Sequence, residues 1–95
     1  MGAVLVGLLN IRNTEWQAEY QQRLPEVLKK HGGRIIAAAP PMHFEGTTRP
    51  DRLVIFEFPD LEAAQNWYRD PDHAPLVTLR QTGADLELYG IEVSK

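Results

Sequence analysis

From Ala3 to Ile11 the chain reads AVLVGLLNI, with Val4, Val6 and Leu8 at even positions and Ala3, Leu5 and Leu9 at odd ones. Successive side chains of a strand point to opposite faces of its sheet, so a strand apolar at both parities must be covered on both sides. RLVIFEF, Arg52 to Phe58, repeats the pattern, broken only by Glu57, which shares a face with Leu53 and Ile55. Two such strands set the strictest condition on the fold: whatever packs against one face of the sheet, the other face also needs a cover.

The remaining elements show how little cover the chain itself supplies. After the first strand, Asn13 or Thr14 offers a helix N-cap, and TEWQ fits a capping box in which Gln17 reaches back. Trp16, Tyr20, Leu24, Val27 and Leu28 recur at threes and fours, predicting an amphipathic helix that stops at Gly32 and Gly33. Pro25 lies within it and is expected to kink or split it. RIIAAA reads as a second strand, and the Pro-Pro, Gly and Thr-Thr content from Pro40 to about Asp51 as a loop.

Beyond the third strand, Asp60 caps a short helix that buries Leu61, Ala64 and one of Trp67 or Tyr68. Pro71 ends it, and APLVTLRQ is a further helical piece closed by Gly83. DLELYGIEV is the last strand. Its apolar residues change parity between Leu88 and Ile91, which predicts a bulge near Tyr89 and Gly90.

Strand, helix, strand, strand, helix, strand is the ferredoxin-like βαββαβ order: an α+β fold with a four-stranded antiparallel sheet and helices on one face. Residues 1–95 are expected to form a single domain of this kind. The helices leave one face open, and a second copy of the chain covers it most economically, as a homodimer with two sheets face to face around a barrel-like interior.

Composition removes several function classes. The net charge is -3, and Lys and Arg are interspersed with Asp and Glu, so no nucleic acid or anionic membrane partner is expected. The chain has no cysteine, which excludes disulfides, a thiolate nucleophile and Cys-ligated metal, and suits a cytoplasmic location. The apolar N-terminal run has no basic region before it and is too short to span a bilayer; Val6 stands where a myristoylation signal has Ser or Thr. No P-loop, G-x-G-x-x-G or G-x-S-x-G occurs, so neither a nucleotide cofactor nor covalent hydrolase chemistry is expected.

Tyr20, Pro25, Leu28, the GGR at Gly32 to Arg34, the EG at Glu45 and Gly46, RPDRLVIFEFPDLEAAQNWYRDP at Arg49 to Pro71 and LVTLRQTGADLELYG at Leu76 to Gly90 resemble the bacterial family called domain of unknown function 1330. The resemblance covers nearly the whole chain. It implies the dimeric α+β barrel superfamily, whose better-understood branches include cofactor-independent monooxygenases, lactone isomerases and polyketide cyclases or dehydratases. Two departures stand out. Members of the family usually carry an Arg followed by glycines where this chain has Ala38, Ala39 and Pro40, and Tyr where it has His73.

Candidate catalytic groups are Glu57, His43 and His73. A carboxylate among apolar strands is either paired or protonated, so Glu57 is a general base or acid with a raised pKa, or a partner for Arg34, Arg52 or Arg80. His43 and Glu45, two apart in an extended loop, point to one side and can share a proton. Neither His31 nor His73 has ligand spacing to them, so no metal is expected. His73 follows DPD at a helix start, where the positive helix end favours a neutral imidazole; its alternative is a surface position near a cap.

The candidate ligand-binding residues are Tyr68, Arg52, Arg80 and Trp67. Trp67 and Tyr68 cannot both face the core, and the match to the family motif assigns Tyr68 the phenol that reaches the pocket. Arg52 and Arg80 are the cations left to orient an anionic or enolate-like ligand once Ala38 replaces the family's Arg. The expected protein is a homodimer that binds an apolar, oxygenated small molecule in a sheet-lined pocket and performs cofactor-independent proton transfer of the isomerase, cyclase or monooxygenase type. The alternative is a dimer that binds without catalysing or that is purely structural.

Overall fold

The computed structural model describes residues 2–93. Its elements are β1 (Gly2–Ile11), α1 (Gln17–Lys30), β2 (Arg34–Ala39), β3 (Arg52–Phe58), α2 (Leu61–Arg69), α3 (Ala74–Gln81) and β4 (Ala84–Val93). The four strands form one antiparallel sheet in the order β2-β3-β1-β4. The fold is ferredoxin-like, with the second crossover made of two helices rather than one.

Strand alternation divides the sheet as the sequence requires. Ala3, Leu5, Leu9, Phe56 and Phe58 are buried beneath the helices, which contribute Leu24, Val27, Leu28, Ala64, Trp67 and Leu76 to the same core. The opposite face carries Val4, Val6 and Leu8, flanked by Leu53 and Ile55 on β3 and by Tyr89 and Ile91 on β4. Tyr89 and Ile91 are exposed, and the Val, Leu and Ile residues of β1 and β3 only half-covered. Among the described residues nothing packs on this apolar patch, which Glu57 and Glu87 border.

Local chemistry accounts for the helix ends. Gly32 takes φ +71°, and the Gly33 and Gly32 amides donate to the carbonyls of Leu28 and Lys29, closing α1 with a Schellman turn. A side chain at Gly33 would run into the Phe58 ring, so this glycine is also a packing requirement. Asp60 accepts from the Ala63 amide at 2.7 Å and caps α2.

Three local expectations are corrected. The capping box does not form: α1 begins at Gln17 without a side-chain cap, and Asn13 organises the entry instead, its Oδ1 accepting from the Glu15 amide and its carbonyl from Trp16 Nε1. Pro25 does not split α1, which runs unbroken for 14 residues; burial of Leu24, Val27 and Leu28 on either side of it outweighs one missing hydrogen bond. β4 has no bulge, its register with β1 being continuous from Gly2↔Val93 to Ile11↔Ala84. The apolar parity changes because Gly90 takes the helix-side position, where Leu5 and Leu61 fill the space, while Ile91 extends the open patch. The irregularity lies in β2, between Ile35 and Ala37.

Candidate functional site

Leu76 and Arg80 are four apart on α3 and both point inward. The Arg80 residue is only 5% exposed, and its guanidinium faces no carboxylate among the described residues. Nη1 donates to the Tyr20 hydroxyl at 3.3 Å, the guanidinium carbon stands 5.9 Å from the Tyr20 ring centroid, and Nε has no partner. Arginine cannot shed its charge, so burial without an anion costs several kcal/mol. A phenol hydroxyl and a ring face offset part of that and leave the charge uncompensated.

Arg80 sits between two cavities on the helix side. The narrower one, about 160 Å³, is a cleft between α1 and the sheet whose walls include Trp16, Tyr20, Leu24, Ala38 and Phe56, with Arg52 and Arg80 as its cations and exposed residues such as Gln21 and Ile35 at its mouth. The wider one, about 610 Å³, opens to solvent between α2 and β4, with Tyr68, Arg69, Gln65 and Tyr89 around Arg80. Among the described residues no Asp or Glu lines either.

Of the groups expected at a site, Arg52 and Arg80 share the lining of the narrower cleft, and Tyr68 and Arg80 that of the wider one. Trp67 is 2% exposed and lines neither; it stacks among Phe56, Phe58 and His73. Glu57 is on the opposite sheet face, its Oε1 accepting from Arg34 Nε and Nη2 at 2.8 and 2.6 Å, so Arg34 is its partner. His43 is in the exposed loop, its Nε2 close to both the Gly46 carbonyl and Arg49 Nη1; a protonated Nε2 donates to the carbonyl and a bare one accepts from Arg49, but not both at once. Among the described residues no three His, Asp or Glu side chains converge as a metal site would need.

His73 is fully buried, not at the surface. Its ring stacks on Trp67 at 4.3 Å and meets Tyr68 edge-on at 5.3 Å. Nδ1 lies 3.3 Å from the Tyr68 carbonyl, which can only accept, so the neutral ring carries its proton there and leaves Nε2 as an unpartnered lone pair. Burial lowers its pKa, opposed by the Tyr68 carbonyl, reinforced by Arg80 and opposed by Asp70. Sequence reasoning assigned neutrality to a helix end; desolvation is the larger cause.

The turn before His73 is held by charge. Asp70 accepts from His31 at 2.8 Å and Lys30 at 2.9 Å, and its other oxygen from the Asp72 amide at 2.8 Å. These bonds, His31 first, hold the Asp70 carboxyl well below the usual carboxylate range. Both His73 and Asp70 bind protons more weakly folded than unfolded, so the unfolded state gains protons as acid is added and stability falls. The His73 contribution is intact above its ordinary 6.5 and is lost below it. That of Asp70 is intact above 3.8 and is lost below it. Melting temperatures measured across pH are expected to drop in two stages, and His73→Phe to remove the upper one; an unchanged slope in that variant counts against a buried neutral imidazole.

Tyr20 and Trp16 were legible only as a helix stripe facing the core. That they face a void shared with Arg80 depends on a contact between residues 60 apart in sequence, for which no local signal exists.

No curated protein matches the chain. Among solved structures, a protein of unknown function from Rhodopseudomonas palustris, RPA0582, superposes with TM-score 0.81 at 21% identity, covering 99% of this chain and 83% of that one. A dimeric ferredoxin-like protein of unknown function from Jannaschia sp. CCS1 gives 0.73 at 15% identity, covering 98% and 100%. SnoaB, a cofactor-independent oxygenase from Streptomyces nogalater, gives 0.70 at 12% identity, covering 99% and 94%. At these identities the likeness is one of fold. The family model described as Domain of unknown function (DUF1330) matches residues 3–93, and the chain belongs to that family.

Proposed function

We propose that the protein is a homodimer, joined through the open sheet face, in which each subunit binds an apolar, oxygenated small molecule in the helix-side space around Arg80. The observation that carries this reading is the buried Arg80 guanidinium with an unpartnered Nε between two cavities that contain no acid. A permanently charged group is retained there, at a cost in stability, because it meets an electron-rich oxygen of something bound. Arg52 lines the same space, and Tyr68 offers a hydroxyl at the wider mouth. The test is a melting-temperature screen of small oxygenated ring compounds against the wild type and Arg80→Met. Stabilisation of the wild type alone supports the reading; equal responses sink it.

Catalysis by proton transfer is the second reading, and a specific observation favours it. His73 is neutral, with a bare Nε2, one ring behind the Tyr68 that lines the open cavity. Its pKa is lowered first by burial and further by the charge of Arg80, and although it lines neither cavity itself, a ligand in the wider one would meet it where Tyr68 turns aside. Glu57 and His43 are drawn toward Arg34 and Arg49. A base beside a cation suits enolisation, the step shared by isomerisation, cyclisation and cofactor-free oxygenation. Solvent deuterium entering a bound ketone next to its carbonyl, abolished by His73→Phe, is the expected signature. Exchange at the uncatalysed rate would leave a binding protein.

The dimer has its own test. Val6 pairs with Ile55 on one side and Tyr89 on the other, in the middle of the open face. Val6→Asp would bury two unpaired carboxylates per dimer and is expected to weaken association by at least ~100-fold, from roughly 3 kcal/mol of desolvation. Sedimentation should show dimer for the wild type and monomer for the variant. A wild type monomeric at micromolar concentration would exclude the open face as a self-interface.

A further inference from the structure

The size and charge of the narrower cleft restrict the ligand further. About 160 Å³ is close to the volume of an apolar protein cavity that takes up a single benzene, so the part of a ligand held inside the cleft is one ring in size. Trp16, Leu24 and Phe56 supply flat and aliphatic walls. The two charged side chains in its lining, Arg52 and Arg80, are both cations, and neither forms an ion pair among the described residues. A partner subunit on the open sheet face would lie on the far side of the sheet and could not bring a carboxylate here. The counter-charge therefore has to arrive with the ligand.

We infer that the cavity is a site for a small carboxylate carrying one ring or its aliphatic equivalent, its apolar body between α1 and the sheet and its carboxylate on Arg80, with Arg52 as the second cation. This rests on the proposed binding role and adds the charge and size of what is bound. Arginine suits the task, since its planar donors match the two oxygens of a carboxylate, and Nε, the donor left unpaired, belongs to the edge that makes such a paired contact. Ala38 contributes to the selection. The family resemblance places an Arg at this position, and Ala leaves that part of the wall apolar and the volume open.

Calorimetric titration with benzoate, its neutral isostere benzamide and the two-ring 2-naphthoate tests charge and size separately. Benzoate is expected to bind the wild type at least tenfold more tightly than either of the others. Arg80→Met should remove this preference. Ala38→Leu, which fills the void without touching either cation and adds apolar contact, should remove benzoate binding while the melting temperature holds or rises. Benzamide binding as well as benzoate, with Arg80 still required, would overturn the carboxylate assignment and leave the oxygenated-ligand reading intact. Naphthoate binding more tightly than benzoate would overturn the size assignment. If none of the three binds, and the wider screen of neutral ring compounds also gives no Arg80-dependent response, both readings fall.

Discussion

Arg80→Met is expected to raise the stability of the chain, by on the order of 1–2 kcal/mol, or roughly 5–10 °C in melting temperature for a domain of this size. Most substitutions of a residue only 5% exposed destabilise a protein, so the sign is the informative part. The argument is electrostatic. The guanidinium loses its hydration on burial and recovers one long hydrogen bond to the Tyr20 hydroxyl and a ring face, with no carboxylate beside it. Methionine has a similar reach and flexibility, can keep the packing against Tyr20, and has no charge to desolvate. A gain in stability together with a loss of ligand response would mark Arg80 as a residue kept for binding, the usual trade at functional positions. A loss above about 1 kcal/mol would show instead that Arg80 supports the fold through its packing.

The opposite result is expected one helix away. Trp67→Ala should cost about 3–5 kcal/mol, the range for emptying a large aromatic from a core, and lower the melting temperature by more than about 15 °C. Trp67 is 2% exposed, with ring centroids of Phe56 and Phe58 each 5.3 Å away and the His73 ring 4.3 Å away. Removing it opens a void that α2, capped at Asp60 and tied at its far end to the Asp70 ion cluster, cannot collapse to fill. Small domains have only about 5–15 kcal/mol in all, so such a variant would be close to unfolding at body temperature. Trp67→Phe keeps most of the ring volume and discards a buried Nε1 that has no partner, so its cost should be less than half as large. Thermal or urea melts of the pair separate packing from hydrogen bonding. Equal losses would mean that Nε1 meets a partner such as a buried water.

On the proposed function, the two substitutions divide the helix side of the sheet into a part that holds the fold and a part that would hold the ligand. Trp67, Phe56, Phe58 and Leu76 close the first. Arg80, Tyr20 and Arg52 border the second. His73 belongs to the core by burial and touches Tyr68 at the cavity wall, which is why its protonation would register in both stability and ligand response.

Much of the site was nameable in advance but not locatable. Arg52, Arg80 and Tyr68 could be named only through the family resemblance, Tyr68 by its match to the motif and the two arginines as the cations left once Ala38 stands where the family has Arg. Glu57 was legible as a carboxylate among apolar residues and has a different resolution. Antiparallel register sets it opposite Arg34, on the face away from the helices, and the ion pair follows from that. Of the two readings open for His73, the surface one fails, because Asp70 draws the DPD turn against His31 and Lys30 and the imidazole packs onto Trp67.

The sequence alone determined the element order, the ferredoxin-like fold, the two-faced strands and the open apolar face, because each depends on side-chain alternation and caps that act within a few residues. Tertiary structure decided which residues share a cavity. Arg80 and Tyr20 are 60 positions apart, and Arg52 arrives from a third element. The pairing of a stranded cation with a void of one ring's volume is a property of how helices seat on a twisted sheet, and no local pattern encodes it.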